Sequence, residues 1–168
     1  SVQQVQDKLM HIFSQPKYLE NRKQQIREAL AKPEVENDSK LKLTLLGDLG
    51  NVSFMANDWD EAQVAAKETI AIHEKSGDKA ALGAALGNLG SILMQKQEFS
   101  GAEENYARAI EIKQELKDHK GIQDIYGSYL NVLIMAGKME VAEKMVKNTL
   151  KAHQDNGNMH GVMSEYRN

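Results

Sequence analysis

The sequence contains no cysteine and only two prolines, Pro16 and Pro33. Without cysteine there is no disulfide framework and no thiolate metal site. With so few prolines, long stretches remain in which nothing forbids a helix. Aromatic and β-branched polar residues are sparse: one Trp, five Tyr and three Phe, with Thr44, Thr69 and Thr149 the only threonines. Pleated faces draw on those residue types, so the composition argues against a β protein and for an all-α one. Positive charge is not in excess either, since 21 basic side chains stand against 24 acidic ones for a net charge of −3. Nothing here attracts phosphates or anionic lipid, and nucleic acid and membrane surfaces are disfavoured as partners. The longest run free of polar residues and glycine is Val132-Leu133-Ile134-Met135-Ala136, far short of the ~20 residues that a spanning helix needs. No charged-then-apolar leader follows Ser1, so the expectation is a cytoplasmic-type chain or an excised fragment.

What the sequence does have is repetition. Leu45-Leu46-Gly47-Asp48-Leu49-Gly50-Asn51-Val52 aligns without gaps to Ala85-Leu86-Gly87-Asn88-Leu89-Gly90-Ser91-Ile92, and then to Ile125-Tyr126-Gly127-Ser128-Tyr129-Leu130-Asn131-Val132, with a period of 40 residues. In the same frame Trp59, Phe99 and Met139 correspond, as do Ala62, Ala102 and Ala142, and Ile70, Ile110 and Leu150. Asp38, Asp78, Asp118 and Asn158 also share a frame position and are all good N-cap residues, while Gly77 and Gly157 stand where helix C′ residues would. Carried backward, the frame places Leu19 at the position of Trp59 and Leu30 at that of Ile70. The 168 residues thus read as a single repeat domain: a degenerate copy over 1–38, copies at 39–78, 79–118 and 119–158, and a stub from 159 to 168.

Each copy holds two apolar stripes at helical spacing. In the second copy these are Leu46, Leu49, Gly50 and Ser53, then Trp59, Ala62, Ala66, Thr69 and Ile70. Asn57-Asp58 makes the turn between them, with Asp58 and Glu61 placed as an N-cap and its N3 partner. The frame therefore predicts helix breaks near 57–58, 77–78, 97–98, 117–118, 137–138 and 157–158, and a first pair broken between Ser14 and Lys17. One pair cannot bury its apolar faces alone, so copies must stack. The expected fold is an all-α solenoid of about four antiparallel helix pairs.

Leu-x-x-Leu-Gly in the first helix, an aromatic opening the second and Ala three residues later resemble the tetratricopeptide repeat. Leu46, Leu49, Gly50, Trp59, Ala62 and Thr69 carry the resemblance in the second copy, and Leu86, Leu89, Gly90, Phe99, Ala102, Tyr106 and Ala109 carry it more fully in the third. The fourth departs, with Leu130 for the small Gly and Val146 for the aromatic. The 40-residue length, Gly77-Asp78-Lys79 and the Leu-Gly-Asn-Leu-Gly run from Leu86 to Gly90 are similar to the subclass of kinesin light chains, Leu-Gly-Asn-repeat adaptors and quorum-sensing peptide receptors. The resemblance implies a right-handed solenoid whose first helices line a concave groove.

By the same resemblance, the groove positions are Gly47, Asn51, Phe54 and Met55, then Gly87, Ser91, Met94 and Gln95, then Gly127, Asn131, Ile134 and Met135, with Asp48, Asn88 and Ser128 beside them. Amides and hydroxyls there both donate and accept, which suits the backbone of a bound peptide, and Met and Phe add adaptable apolar contact. The alternative is that the polar groups are merely solvated and the methionines pack between copies. Gly47, Gly87 and Gly127 either let neighbouring first helices approach or open the groove floor. A clamp of Lys and Asn on a C-terminal carboxylate is not supported, since Gly47, Asp124 and Ser128 stand where its cations would be.

Catalytic and metal candidates are weak. His11, His73, His119, His153 and His160 fall in no H-E-x-x-H pattern, and neither a phosphate loop nor a nucleophile elbow occurs. His73 and His153 share a position near the end of second helices, where a cation favours the dipole. The leading expectation is a non-enzymatic module, without cofactor or metal, that binds a peptide or helix of a partner protein. A sensor or regulatory region of a larger signalling or transcription-regulating protein is the alternative, and an enzyme built on scattered carboxylates a remote one. The stub, with Val162 in the frame of Leu82 and Ile122, gives the further expectation of a chain cut from a longer array or of self-association through this end.

Overall fold

The computed structural model describes residues 2–13 and 15–154 and is helical throughout its regular structure. Its helices fall into two compact units, Ser1–Ser76 and Gly77–Asn168. In the first unit lie α1 (Val2–Phe13), α2 (Pro16–Leu30), α3 (Pro33–Glu36), α4 (Ser39–Met55) and α5 (Trp59–Ser76). In the second lie α6 (Lys79–Gln95), α7 (Phe99–Glu115), α8 (His119–Met135) and α9 (Met139–Gln154). The helix breaks fall at the positions that the 40-residue frame predicts up to 137–138, and the architecture is the all-α helical repeat expected. The break at 157–158, the Asn158 cap, Gly157 and the stub lie outside the described residues.

The period is written first into the caps. Asp38, Asp78 and Asp118 each accept a side-chain hydrogen bond from the backbone N–H three residues on, at 3.0, 3.0 and 2.8 Å. Each satisfies an orphan donor at the start of a first helix. The helix ends are equally regular. Asp58, Glu98, Asp118 and Lys138 donate their N–H to the carbonyls of Ser53, Leu93, Lys113 and Leu133, five residues back. The residues before them, Asn57, Gln97, Lys117 and Gly137, sit at φ of 57°, 59°, 56° and 75°. This is the Schellman arrangement, in which a left-handed residue turns the chain sharply enough for the next helix to pack back on the last.

Only one of those four positions is glycine, and a side chain at a left-handed φ costs about 1–2 kcal/mol. Lys117→Gly should therefore raise stability by about 0.5–1 kcal/mol, part of the relief being returned to the more flexible unfolded chain. Chemical unfolding of the two proteins gives the answer, and a lower midpoint for the variant contradicts the argument.

In the first unit α2 packs on α4 and α4 on α5. Ile26 of α2, 2 % exposed, joins Leu46, Leu49 and Ala65 in one core, with Leu30, Leu45, Val52 and Ile72 at its edge. The degenerate first copy differs from the others for an identifiable reason. The frame asks for a second helix running to residue 36, but Pro33 has no N–H and its ring clashes with the preceding turn. The helix stops at Leu30 and restarts at Pro33 as the four-residue α3, whose Val35 is 3 % exposed.

In the second unit α6 packs on α7, α7 on α8 and α8 on α9. Its core takes Leu86, Leu89, Leu93, Ala102, Tyr106, Ile110, Ile122, Leu133 and Met145. At Gly90 an added Cβ would lie 2.9–3.0 Å from three ring atoms of Tyr106. The ring of α7 thus rests directly on the backbone of α6.

Candidate functional site

The first helices α6 and α8 bound a cleft of about 260 Å³ within the second unit. From α6 come Gly87, Asn88 and Ser91, from α8 come Asp124, Ile125 and Ser128, and α7 adds Tyr106 and Lys113. Residues at i, i+3 and i+4 share a helix face, which is why 87, 88 and 91 reach the cleft together and why 124 and 128 do.

The polar groups of the cleft divide into two kinds. Ser91 is committed to the fold: its hydroxyl is 3.2 Å from the Gly87 carbonyl, to which it donates, and 2.9 Å from the Tyr106 hydroxyl. Lys113 is committed as well, donating to Asp118 at 2.9 Å. That ammonium and the Gly121 N–H hold the Asp118 carboxyl below its usual range. Asn88, Asp124 and Ser128 make no side-chain hydrogen bond or ion pair among the described residues. Asn88 and Asp124 are exposed and Ser128 is half-buried. An amide, a carboxylate and a hydroxyl are left to meet something else.

The glycines of the first helices do not behave alike. A Cβ at Gly87 would touch Ile125 at 3.4 Å, an ordinary contact, whereas at Gly47 and Gly127 it would meet nothing within 4 Å. Close helix approach therefore explains neither Gly47 nor Gly127. Around Gly47, in the first unit, Asn51 is exposed and Asp48 pairs with Arg22 at 3.5 Å. Phe54 and Met55 are 38 % and 48 % exposed, the Phe54 ring standing edge-on to Trp59 with centroids 4.9 Å apart. In the second unit Met94 is half-buried and Gln95 and Asn131 are exposed. Ile134 and Met135 are 44 % and 55 % exposed, but Ile134 turns into a separate cleft between α8 and α9, with Leu130, Met139, Ala142 and Val146.

Of the fifteen positions singled out in the sequence, Gly87, Asn88, Ser91 and Ser128 thus meet in one cleft. Sequence reasoning missed Tyr106, Lys113, Asp124 and Ile125. Tyr106 reads as a core aromatic, and Asp124 drew notice only as a mismatch to a cationic clamp. The signal that could have found Asp124 is its place four residues before Ser128 on the same face.

A second polar constellation lies in the first unit and was not legible in the repeat pattern. Lys23 is 3 % exposed. Its ammonium lies 2.7 Å from Asp58, 2.9 Å from Glu20 and 3.2 Å from Glu61. Arg27 grips Glu61 with two nitrogens, at 2.5 and 2.7 Å, and the Ser53 hydroxyl donates to the same carboxylate at 3.3 Å. Asp58 caps α5 through the Glu61 N–H at 3.2 Å, as its spacing implies. The Glu61 carboxylate, expected as the other half of a capping box, is drawn instead to Arg27 and Lys23. Burial works against the Lys23 charge, but Asp58, Glu20 and Glu61 outweigh it and hold the ammonium above its usual range. Lys23 in turn holds Asp58 below its range, and Arg27 foremost does so for Glu61. Two cations and three carboxylates all find opposite partners inside the cluster, which ties α2 to the α4–α5 turn rather than facing a substrate.

Among the described residues no group of three or more His, Asp or Glu side chains is placed to hold a metal ion, and no helix is long and apolar enough to cross a membrane. Compared with known families, residues 82–116 match the model described as tetratricopeptide repeat. That segment runs from the first turn of α6 through the end of α7. No curated protein matches the chain.

Proposed function

The chain carries a tetratricopeptide repeat over residues 82–116, and on that premise we propose that it is an interaction module whose first helices hold a peptide or helix of a partner protein. Repeats of this family are generally scaffolds without catalysis, building extended surface rather than a reaction centre. The observation that carries the reading is the α6–α8 cleft, where Asn88, Asp124 and Ser128 remain uncommitted beside Gly87 and Ile125.

An extended peptide presents N–H and C=O groups in alternation. An asparagine amide satisfies one of each, a carboxylate accepts from an N–H or a cationic side chain, and a serine hydroxyl does either. Asn is a poor helix former at a mid-helix position, yet Asn51, Asn88 and Asn131 all occupy such positions without a side-chain bond to the fold among the described residues. In the first unit, exposed Asn51, Phe54 and Met55 offer the same combination of amide and adaptable apolar surface.

The test begins with peptides selected on the full chain from a random-sequence display library. Asn88→Ala combined with Asp124→Ala should weaken their binding at least roughly tenfold, about 1.4 kcal/mol for two lost hydrogen bonds. The thermal midpoint should hold or rise, because alanine favours the helix. Equal affinity of parent and double variant in calorimetric titration rejects the cleft as the binding site.

A further inference from the structure

Two charged side chains border the α6–α8 cleft, Lys113 from α7 and Asp124 from α8, and they are not equivalent. The Lys113 ammonium is already spent. It donates to one oxygen of Asp118 at 2.9 Å, while the other oxygen of that carboxylate accepts from the Gly121 N–H at 2.8 Å. The pair rests on Gly121 itself, where an added Cβ would collide with both the ammonium and the carboxylate. Glycine at this position is what leaves room for the pair, and the cation is held down on α8 rather than offered to the cleft.

Asp124, three residues on from Gly121 and so on the same face of α8, is exposed and makes no ion pair among the described residues. Lys120, one turn earlier, is not among the residues that border the cleft. With Lys113 cancelled by Asp118, the cleft keeps one net negative charge. The uncommitted side chains beside it, Asn88 across on α6 and Ser128 one turn further along α8, bring two more oxygen acceptors.

Resting on the peptide-binding reading of this cleft, we propose that the peptide it takes is a basic one and that Asp124 selects it by receiving a cationic side chain, arginine ahead of lysine. A guanidinium presents five N–H donors in a planar fork, so it can grip a carboxylate with two of them and still donate to an amide carbonyl and a hydroxyl. An ammonium has three donors on a single point and matches that set less fully. An acidic peptide meets the reverse situation, since the one cation bordering the cleft is taken and the free charge repels it.

The random-sequence display library, selected in parallel on the full chain of the parent, of Asp124→Lys and of Glu104→Lys, gives the test. Both variants alter exposed side chains and change the net charge equally, but Glu104 is on α7 and does not border the cleft. Peptides retained by the parent and by Glu104→Lys should be enriched in arginine, and those retained by Asp124→Lys in aspartate and glutamate. For a peptide selected on the parent, replacing its arginine with alanine should weaken binding about tenfold, as should Asp124→Asn, with little further loss when the two changes are combined. Selected peptides that depend on Asn88 but not on Asp124 or on arginine overturn this proposal and leave the peptide-binding reading standing, as does a parent that retains acidic peptides. A library that yields no binder, or binders indifferent to both Asn88→Ala and Asp124→Ala, overturns the two together.

Discussion

Gly90→Leu should destabilise the second unit by about 2–3 kcal/mol through overpacking against Tyr106. A Cβ alone would come within 2.9–3.0 Å of the Tyr106 ring. The ring cannot easily give way, being 3 % exposed and held through its hydroxyl to Ser91. Glycine in a helix interior costs up to about 1 kcal/mol against alanine, so overpacking has to exceed that gain before it shows as a loss. A leucine adds three further carbons in the same direction. The chain itself shows how the clash is resolved one period later, where Leu130 stands for Gly90 and Val146 for Tyr106. Gly90→Leu combined with Tyr106→Val should therefore recover more than half of the loss, a coupling that a double-mutant cycle in denaturant measures directly. Additive losses would mean that the two positions do not share their space.

Lys23→Met is expected to cost the first unit about 3 kcal/mol. Removing one partner from a buried ion cluster costs about 3–5 kcal/mol because the remaining charges lose their compensation. The lower end applies here, since Glu61 keeps Arg27 and the Asp58 side chain is 36 % exposed. The effect should also carry a pH signature. Asp58 and Glu61 are held below their ordinary values of 3.8 and 4.5. Their contribution is present above those values and is lost as acid protonates the folded form. Lys23 is held above its ordinary 10.5, so its contribution persists up to that pH and fades only beyond it. The gap in stability between parent and variant should be constant through neutral pH and narrow below about pH 4. Urea titrations across that range check it, and a gap that widens in acid contradicts the assignment of the charges.

How much of this was readable in advance depends on the kind of interaction. Asp38, Asp78 and Asp118 announce their helices because a cap is a local device, set by residues three apart. The turns at Asn57, Gln97 and Lys117 could be placed, but their left-handed backbone could not be read from side chains that only tolerate it. The Lys23 cluster was hidden because the pairs that close it, Lys23–Asp58 and Arg27–Glu61, join residues 35 and 34 apart. Only the packing of α2 against the α4–α5 turn brings them together. The cleft was half legible. Asn88 and Ser128 were placed beside a groove by the family resemblance, whereas the commitment of Ser91 to Tyr106 depends on how far one ring reaches across an interface. Ile134 borders a different cleft, with Leu130 and Val146, where those two residues stand in place of the Gly90 and Tyr106 of the preceding period.

The pairing of each helix in the second unit with the one just before it also bears on how the chain acquires its structure during synthesis. α6 and α7 are joined by three residues and can pack on each other without waiting for α8. A short loop closes at little entropic cost, and a topology made of such closures folds quickly. Growth can then proceed by one helix at a time, each arriving on a surface already in place, so a nascent chain need never hold a long unpaired apolar segment while waiting for a distant partner.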